Sequence, residues 1–186
     1  MGTKHDEQSF LDAAVELALE EGLAALTFGR LARRVGVADR TIVYYFPTKG
    51  DLLQRVLGEL GGRLIGALEE AFGSERRPIA DLLRTAYPLL VTDDTDPVFA
   101  LWFELVGRAA AGDEPHRTLA HQMTAVWVAW LAERIDVGDL TGDAAVTASH
   151  ESAAALMAQI DGALMLHHLG HADAARASIA SITNGA

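Results

Sequence analysis

Between Thr27 and Arg55 lie six fixed cations, Arg30, Arg33, Arg34, Arg40, Lys49 and Arg55, against two carboxylates, Asp39 and Asp51. Six against two leaves this stretch at +4 in a chain whose formal net charge is −11, so everything else carries −15. A positive island on an acidic protein is the electrostatic footprint of a surface that binds nucleic-acid phosphates. The acidic remainder would repel phosphates and is excluded as that surface.

A second group of residues suits a different chemistry. Tyr87, Phe99, Trp102, Phe103, Met123, Trp127 and Trp130 concentrate between Pro78 and Ile135, a span that holds all three tryptophans. Large rings at helical spacing serve as walls of an apolar ligand cavity or as plain core and interface; both roles stay open. Arg84, Glu104, Arg108, Gln159 and Asp161 are the polar groups near them in sequence. Glu104 and Arg108, spaced i, i+4, pair readily on a helix surface. Asp161 is the one charged residue in Ser152–Gly170. A lone carboxylate on an apolar helix needs a partner or water, and either a structural hydrogen bond near a subunit contact or a ligand contact would supply one.

Catalytic chemistry finds no footing. The chain has no cysteine, so thiolate nucleophiles, thiolate metal sites and disulfides are ruled out. There is no glycine-rich phosphate loop and no serine–histidine–carboxylate pattern in a recognisable setting, so an enzyme is not expected, and no cofactor. His167 and His171 are spaced i, i+4, but Gly170 ends the helix between them and no acidic cluster completes a site; no metal is expected.

These residues must be positioned by helices, because the apolar periodicity is helical throughout and no strand alternation stands out. Phe10, Ala14, Leu17 and Ala18 stripe a first helix from about Asp6 to Glu21, stopped by Gly22. Leu23–Leu26 is a connector. Thr27 caps a second helix, Phe28–Val35, stopped by Gly36. Asp39 caps a short third helix through Tyr45, ended by Pro47. Thr48 caps a long fourth helix, Lys49–Phe72. Further helices are expected over Pro78–Val91, bent at Pro88, over Pro97–Gly112, Pro115–Ile135, Asp143–Leu169 and Ala172–Ile182. The N-terminus lacks an apolar signal region, and the longest apolar stretch, Ala153–Leu166, is shorter than a membrane span. The expected setting is therefore cytoplasmic, with no membrane partner.

The second and third helices fit a helix-turn-helix, Thr27–Phe46, which needs two short helices joined by a tight turn. Leu31, Ala32, Val37 and Ile42 can form the inner seam, with Gly36 supplying a positive φ. Arg40, Thr41, Tyr44 and Tyr45 are left outward for DNA. At Tyr45 a core role is the alternative; Phe46 is expected in the core. Arg30 and Arg33 either touch phosphates or are merely solvated.

The string Gly-Leu-Ala-Ala-Leu-Thr-Phe, then Leu-Ala-Arg-Arg-Val-Gly-Val, then Thr-Ile-Val-Tyr-Tyr-Phe-Pro-Thr-Lys-Gly-Asp-Leu-Leu resembles the DNA-binding domain of the TetR (tetracycline-repressor) family over Phe10–Leu57. The resemblance implies an all-α fold: an N-terminal three-helix DNA-binding domain over 1–47 and a helical ligand-binding and dimerisation domain over 48–186, with 48–72 as a connecting helix. It implies a homodimer that sets one recognition helix of each subunit on a palindromic operator and, as a repressor, is released by a small effector, here largely apolar. The same resemblance assigns roles to residues. Thr27 places its hydroxyl and a backbone N–H on phosphate. Arg40 and Thr41 read base edges. Tyr44 and Tyr45 match the family's aromatic pair at phosphates or thymine methyls, and Lys49 lies beside the phosphate track. Ala38, Val43 and Gly50 depart from the family's usual serine, aromatic and glutamate.

The helix over 143–169 is apolar nearly all round from Ala153 to Leu169, and that stretch wants burial on two faces. With 116–135 it would form a four-helix bundle with the twin subunit. A non-specific architectural DNA-binding protein without a ligand is the alternative function.

Overall fold

Glycines with positive φ end two of the first helices. Gly22 (φ 84°) closes the first and Gly36 (φ 75°, left-handed) the second, a conformation that costs a side-chain-bearing residue roughly 1–2 kcal/mol. The computed structural model describes residues 6–73 and 75–184. Among them the helices are α1 (Glu7–Glu21), α2 (Phe28–Val35), α3 (Asp39–Tyr45), α4 (Lys49–Phe72), α5 (Ile79–Leu90), α6 (Asp96–Ala110), α7 (His116–Ala132), α8 (Gly142–His168) and α9 (Ala172–Thr183). The fold is all-α, as expected, with a helix-turn-helix region at the N-terminus and a helical C-terminal part.

Local chemistry explains the boundaries. Asp6 caps α1 in a reciprocal box with Ser9, which satisfies two amides that the helix itself cannot. The connector contains one turn of 3₁₀ helix, Leu23–Ala25. α3 begins one residue earlier than a cap at Asp39 would allow. Ala38 is the N-cap, without a side-chain bond because it has no oxygen to offer, and Asp39 sits in the first turn, where its charge favours the helix dipole. Pro88 stays inside α5 without ending it. α7 stops at Ala132, short of Ile135, because the chain leaves the helix to pair with a distant segment. The Arg77 amide donates to the Arg134 carbonyl (2.9 Å) and the Asp136 amide to the Arg77 carbonyl (2.9 Å).

Two compact units result. One comprises the residues up to Leu64 together with Ala100–Ala120; the other, Ile65–Phe99 with His121–Ala186. The division falls inside α4, α6 and α7. In the first unit, α1 lays Phe10, Leu11, Ala14, Val15, Leu17 and Ala18 inward, and these meet Leu31, Ala32, Ile42 and Phe46, all at most 1% exposed. Each large apolar side chain buried this way contributes about 1.5–3 kcal/mol. In the second unit α5, α8 and α9 pack on one another, with Leu82, Leu83, Leu156 and Ala163 enclosed.

Candidate functional site

α3 turns one face to solvent and one to the core. Ile42 and Phe46 are buried, which anchors the helix from behind. Arg40, Val43 and Tyr44, spaced i, i+3, i+4, are exposed together, Tyr44 at 81%. Thr41 and Tyr45 flank that face and are half-buried. The Tyr45 ring packs at 5.2 Å from Phe10 of α1 and at 5.1 Å, edge-on, from Tyr44. It thus braces the exposed ring against the core while keeping part of its own surface outward. Val43 is missing from the set expected on sequence grounds; its register, three residues after Arg40, is the signal that marks it.

α2 is fixed at its start by Thr27, whose side-chain oxygen accepts from the Arg30 amide at 3.3 Å. The threonine is exposed, so its O–H is left to donate outward. The first turn of α4 is held by Thr48 and Asp51: each backbone N–H donates to the other's side chain, at 2.9 and 3.1 Å, and the Thr48 hydroxyl donates to the carboxylate at 2.7 Å. Lys49 is exposed in that turn. A cation at a helix N-terminus opposes the helix dipole, and a phosphate beside the turn would relieve this.

The charge of the region reads differently once folded. Arg30 pairs with Glu21. Arg34 reaches Glu20 (2.7 Å) and Glu16 (3.2 Å), and Arg55 reaches Glu7 (2.6 Å). Hydrogen bonding from Arg34 holds the Glu20 carboxyl below its usual range, and the same bonds from Glu20 and Glu16 raise the guanidinium. Three of the six cations are therefore engaged by α1. Arg33, Arg40 and Lys49 are exposed and make no ion pair with a described residue. Over residues 6–55 the six cations face eight carboxylates, a balance of −2. The positive charge left unmatched by α1 is thus that of Arg33, Arg40 and Lys49, and the acidic side chains of α1 offset the rest.

A further carboxylate enters this unit from far along the sequence. Glu104 of α6 accepts from the Leu23 amide (2.7 Å) and the Ala24 amide (3.0 Å), and its Oε1 also accepts from Arg108 Nε (3.1 Å). The pair with Arg108 is set by their spacing. The contact across 81 residues has no sequence signal.

The aromatic set divides between the units. Trp102 and Phe103 lie in the first, and Tyr87, Phe99, Met123, Trp127, Trp130 and Asp161 in the second. Tyr87 and Phe99 are buried; Trp102, Phe103, Met123, Trp127 and Asp161 are half-buried. Trp130 is buried and heavily engaged. Phe72 stacks on it at 5.8 Å, Trp127 meets it edge-on at 5.5 Å, Arg134 lies 4.0 Å above its ring, and its N–H donates to Glu69 at 3.1 Å. Arg134 also donates to Glu69 (2.7 Å). That makes Trp130 a structural clamp between the ends of α4 and α7. Tyr87 is the opposite case. Its hydroxyl is buried with no hydrogen-bond partner among the described residues, and burial raises its pKa against the weaker opposing effect of Arg176. His167, whose Nε2 is 3.9 Å from Asp96, likewise buries Nδ1 without a hydrogen bond to a described residue; its sequence spacing gave no sign of this. Among the described residues no group of three or more histidine and carboxylate side chains is arranged to hold a metal, and no helix is long and apolar enough to cross a membrane.

Residues 10–56 match the family described as bacterial regulatory proteins, tetR family. A fatty acid metabolism regulator protein of Bacillus subtilis (strain 168) is 40% identical over 60 residues, 32% of this chain and 31% of that protein, so the match spans about a third of the relative's length. Among solved structures, a protein from Rhodococcus sp. assigned to the TetR-family transcriptional regulators superposes with a TM-score of 0.73 at 20% identity, covering 95% of each chain. The multidrug binding protein EbrR, solved with proflavin, superposes with a TM-score of 0.66 at 23% identity, covering 96% of this chain and 98% of its own. Likenesses at this identity establish the fold.

Proposed function

We propose that the chain, whose residues 10–56 match the tetR family of bacterial regulatory proteins, is a DNA-binding transcriptional regulator of that kind, a repressor that acts as a homodimer on a palindromic operator. The observation that carries this reading is the exposed Arg40–Val43–Tyr44 face, anchored from behind by Ile42 and Phe46, with Lys49 exposed at the start of the next helix. A short helix so braced suits the major groove. Arg40 and Thr41 then read base edges, Val43 meets a thymine methyl, and Thr27, Tyr44, Tyr45 and Lys49 hold backbone, whereas Arg30, a phosphate candidate by sequence, is paired with Glu21. Residues 1–47 supply this surface apart from Lys49, and 48–186, with 48–72 as the connecting helix, supply effector binding and dimerisation.

Exposed apolar surface supports the dimer. On α8, Val146, His150, Ala154, Ala158 and Met165 fall on one face and all are exposed, and on α7 Val126 is 58% exposed. Small side chains along such a face admit a second helix closely, and a two-fold pairing of α7 and α8 with their copies would cover it. The effector reading rests on Tyr87, with His167, Phe99, Met123, Trp127 and Asp161 in the same unit. A buried hydroxyl without a partner costs roughly 1–3 kcal/mol, recovered when a ligand group bonds to it. A small, largely apolar or aromatic molecule fits such surroundings, and proflavin, present in the EbrR structure, is a reasonable first probe.

Selection from random duplexes tests the main reading. The expected result is a two-fold symmetric sequence with half-sites about one helical turn apart or a multiple of it, bound on the order of a thousandfold or more above random duplex. A ratio below about tenfold would instead favour the non-specific architectural alternative.

A further inference from the structure

The 3₁₀ turn Leu23–Ala25, where α1 hands over to α2, has no side-chain cap of its own; its N-cap is Gly22. The first amides of any helical turn lack internal partners. Here they are satisfied from outside, by a single carboxylate on α6. Glu104 takes the Leu23 N–H on Oε2 at 2.7 Å and the Ala24 N–H on Oε1 at 3.0 Å. Charge-assisted, bidentate bonds of this kind fix orientation as well as position. The approach is close enough that a Cβ built on Gly22 would lie 2.9 Å from Glu104 Oε2. Arg108 holds the carboxylate from behind at 3.1 Å and extends the network to Asp113, 3.5 Å away. Asp113 in turn lies 3.1 Å from His116 Nδ1 at the start of α7. Between Asp113 and His116 the segment docks once more, with Pro115 Cβ 3.5 Å from where a Gly50 side chain would begin. Gly50 adjoins Lys49, so the second docking point is beside the proposed phosphate contact.

We infer that Glu104 is a positioning residue for DNA recognition: it touches no DNA, and by holding the Leu23 and Ala24 amides it fixes the direction in which α2, and through it α3, leaves α1. This rests on the DNA-binding reading above. It assigns to a residue outside 10–56 the setting of the helix-turn-helix.

The test uses the full chain with Glu104→Gln and Glu104→Ala. Glu104→Gln retains the shape and one acceptor, which guards against loss of the fold. Each variant is titrated against the duplex selected by the wild type and against random duplex, with hydrogen exchange of the Leu23 and Ala24 amides followed in parallel. The expected result is faster exchange at those amides in both variants. Affinity for the selected duplex should fall about threefold to tenfold in Glu104→Gln and more than about tenfold in Glu104→Ala, with affinity for random duplex changing less than about twofold. A purely structural cap would raise exchange and lower the melting temperature yet leave the ratio of selected to random affinity intact well below the melting transition, and that outcome in Glu104→Gln overturns the inference. A wild-type chain that enriches no duplex overturns the DNA-binding reading itself, and this inference with it.

Discussion

Removing Lys49 tests whether the unmatched cations are the ones that meet phosphate. Neutralising a phosphate on B-DNA releases counterions, and each contact adds about 0.9 to the slope of log affinity against log salt. A two-fold dimer presents Lys49 twice, so Lys49→Ala should flatten that slope by about 1.8. Between roughly 50 and 200 mM salt, about a fourfold change, the affinity lost by the wild type should then exceed that lost by the variant by roughly twelvefold. Arg34→Ala is the matched control. It removes the same formal charge from the same unit, but its guanidinium is already held by Glu20 and Glu16, so the slope should stay within about 0.5 of the wild type. Fluorescence anisotropy with the selected duplex over a series of salt concentrations gives both slopes. Equal flattening by the two substitutions, or none from Lys49→Ala, would refute the argument that α1 decides which cations are available.

Three further outcomes are expected. Arg40→Ala should lose roughly 1–3 kcal/mol of discrimination at particular base pairs, measured with single-substitution duplexes; an unchanged preference profile would remove Arg40 from the base-reading set. Trp130→Phe gives up the hydrogen bond to Glu69 and part of the surface under Arg134, about 1–2 kcal/mol, which in a chain of this size is about 3–6 °C in melting temperature. Proflavin affinity should stay the same, and a large change in it would make Trp130 a ligand contact after all. Glu20 has a folded pKa below its ordinary value of 4.5 because Arg34 bonds to the ionised form. Its stabilising contribution is therefore complete above that value and is lost as pH falls through the depressed one. Glu20→Gln should flatten the acid limb of melting temperature against pH below about 4.5; superimposable limbs would contradict the sign.

Several features of this protein were legible in the order of its residues because their causes are local. Thr27 caps the helix it precedes, Gly22 and Gly36 stop the helices before them, and the spacing of Phe10, Ala14, Leu17 and Ala18 makes one apolar stripe. Helix type, the helix-turn-helix and the outward set on α3 all arise from contacts a few residues apart, where chain geometry leaves little choice. The positive island at Thr27–Arg55 was also visible, but its availability was not. Charges add in sequence irrespective of place, whereas pairing depends on distance, and only the fold brings Glu7, Glu16, Glu20 and Glu21 of α1 to Arg55, Arg34 and Arg30. The same holds for the rings. Spacing could not tell Trp130, clamped by Phe72, Arg134 and Glu69, from Tyr87, whose hydroxyl is buried without a bond. Nor could it place Glu104 at the amides of Leu23 and Ala24. The sequence by itself determined which helices form and which of them carries the outward Arg40–Tyr44 face. The tertiary structure decided which cations are left for phosphate, which aromatic is committed to the core and what holds the helix-turn-helix in place, because each is set by contacts between segments that the chain keeps far apart.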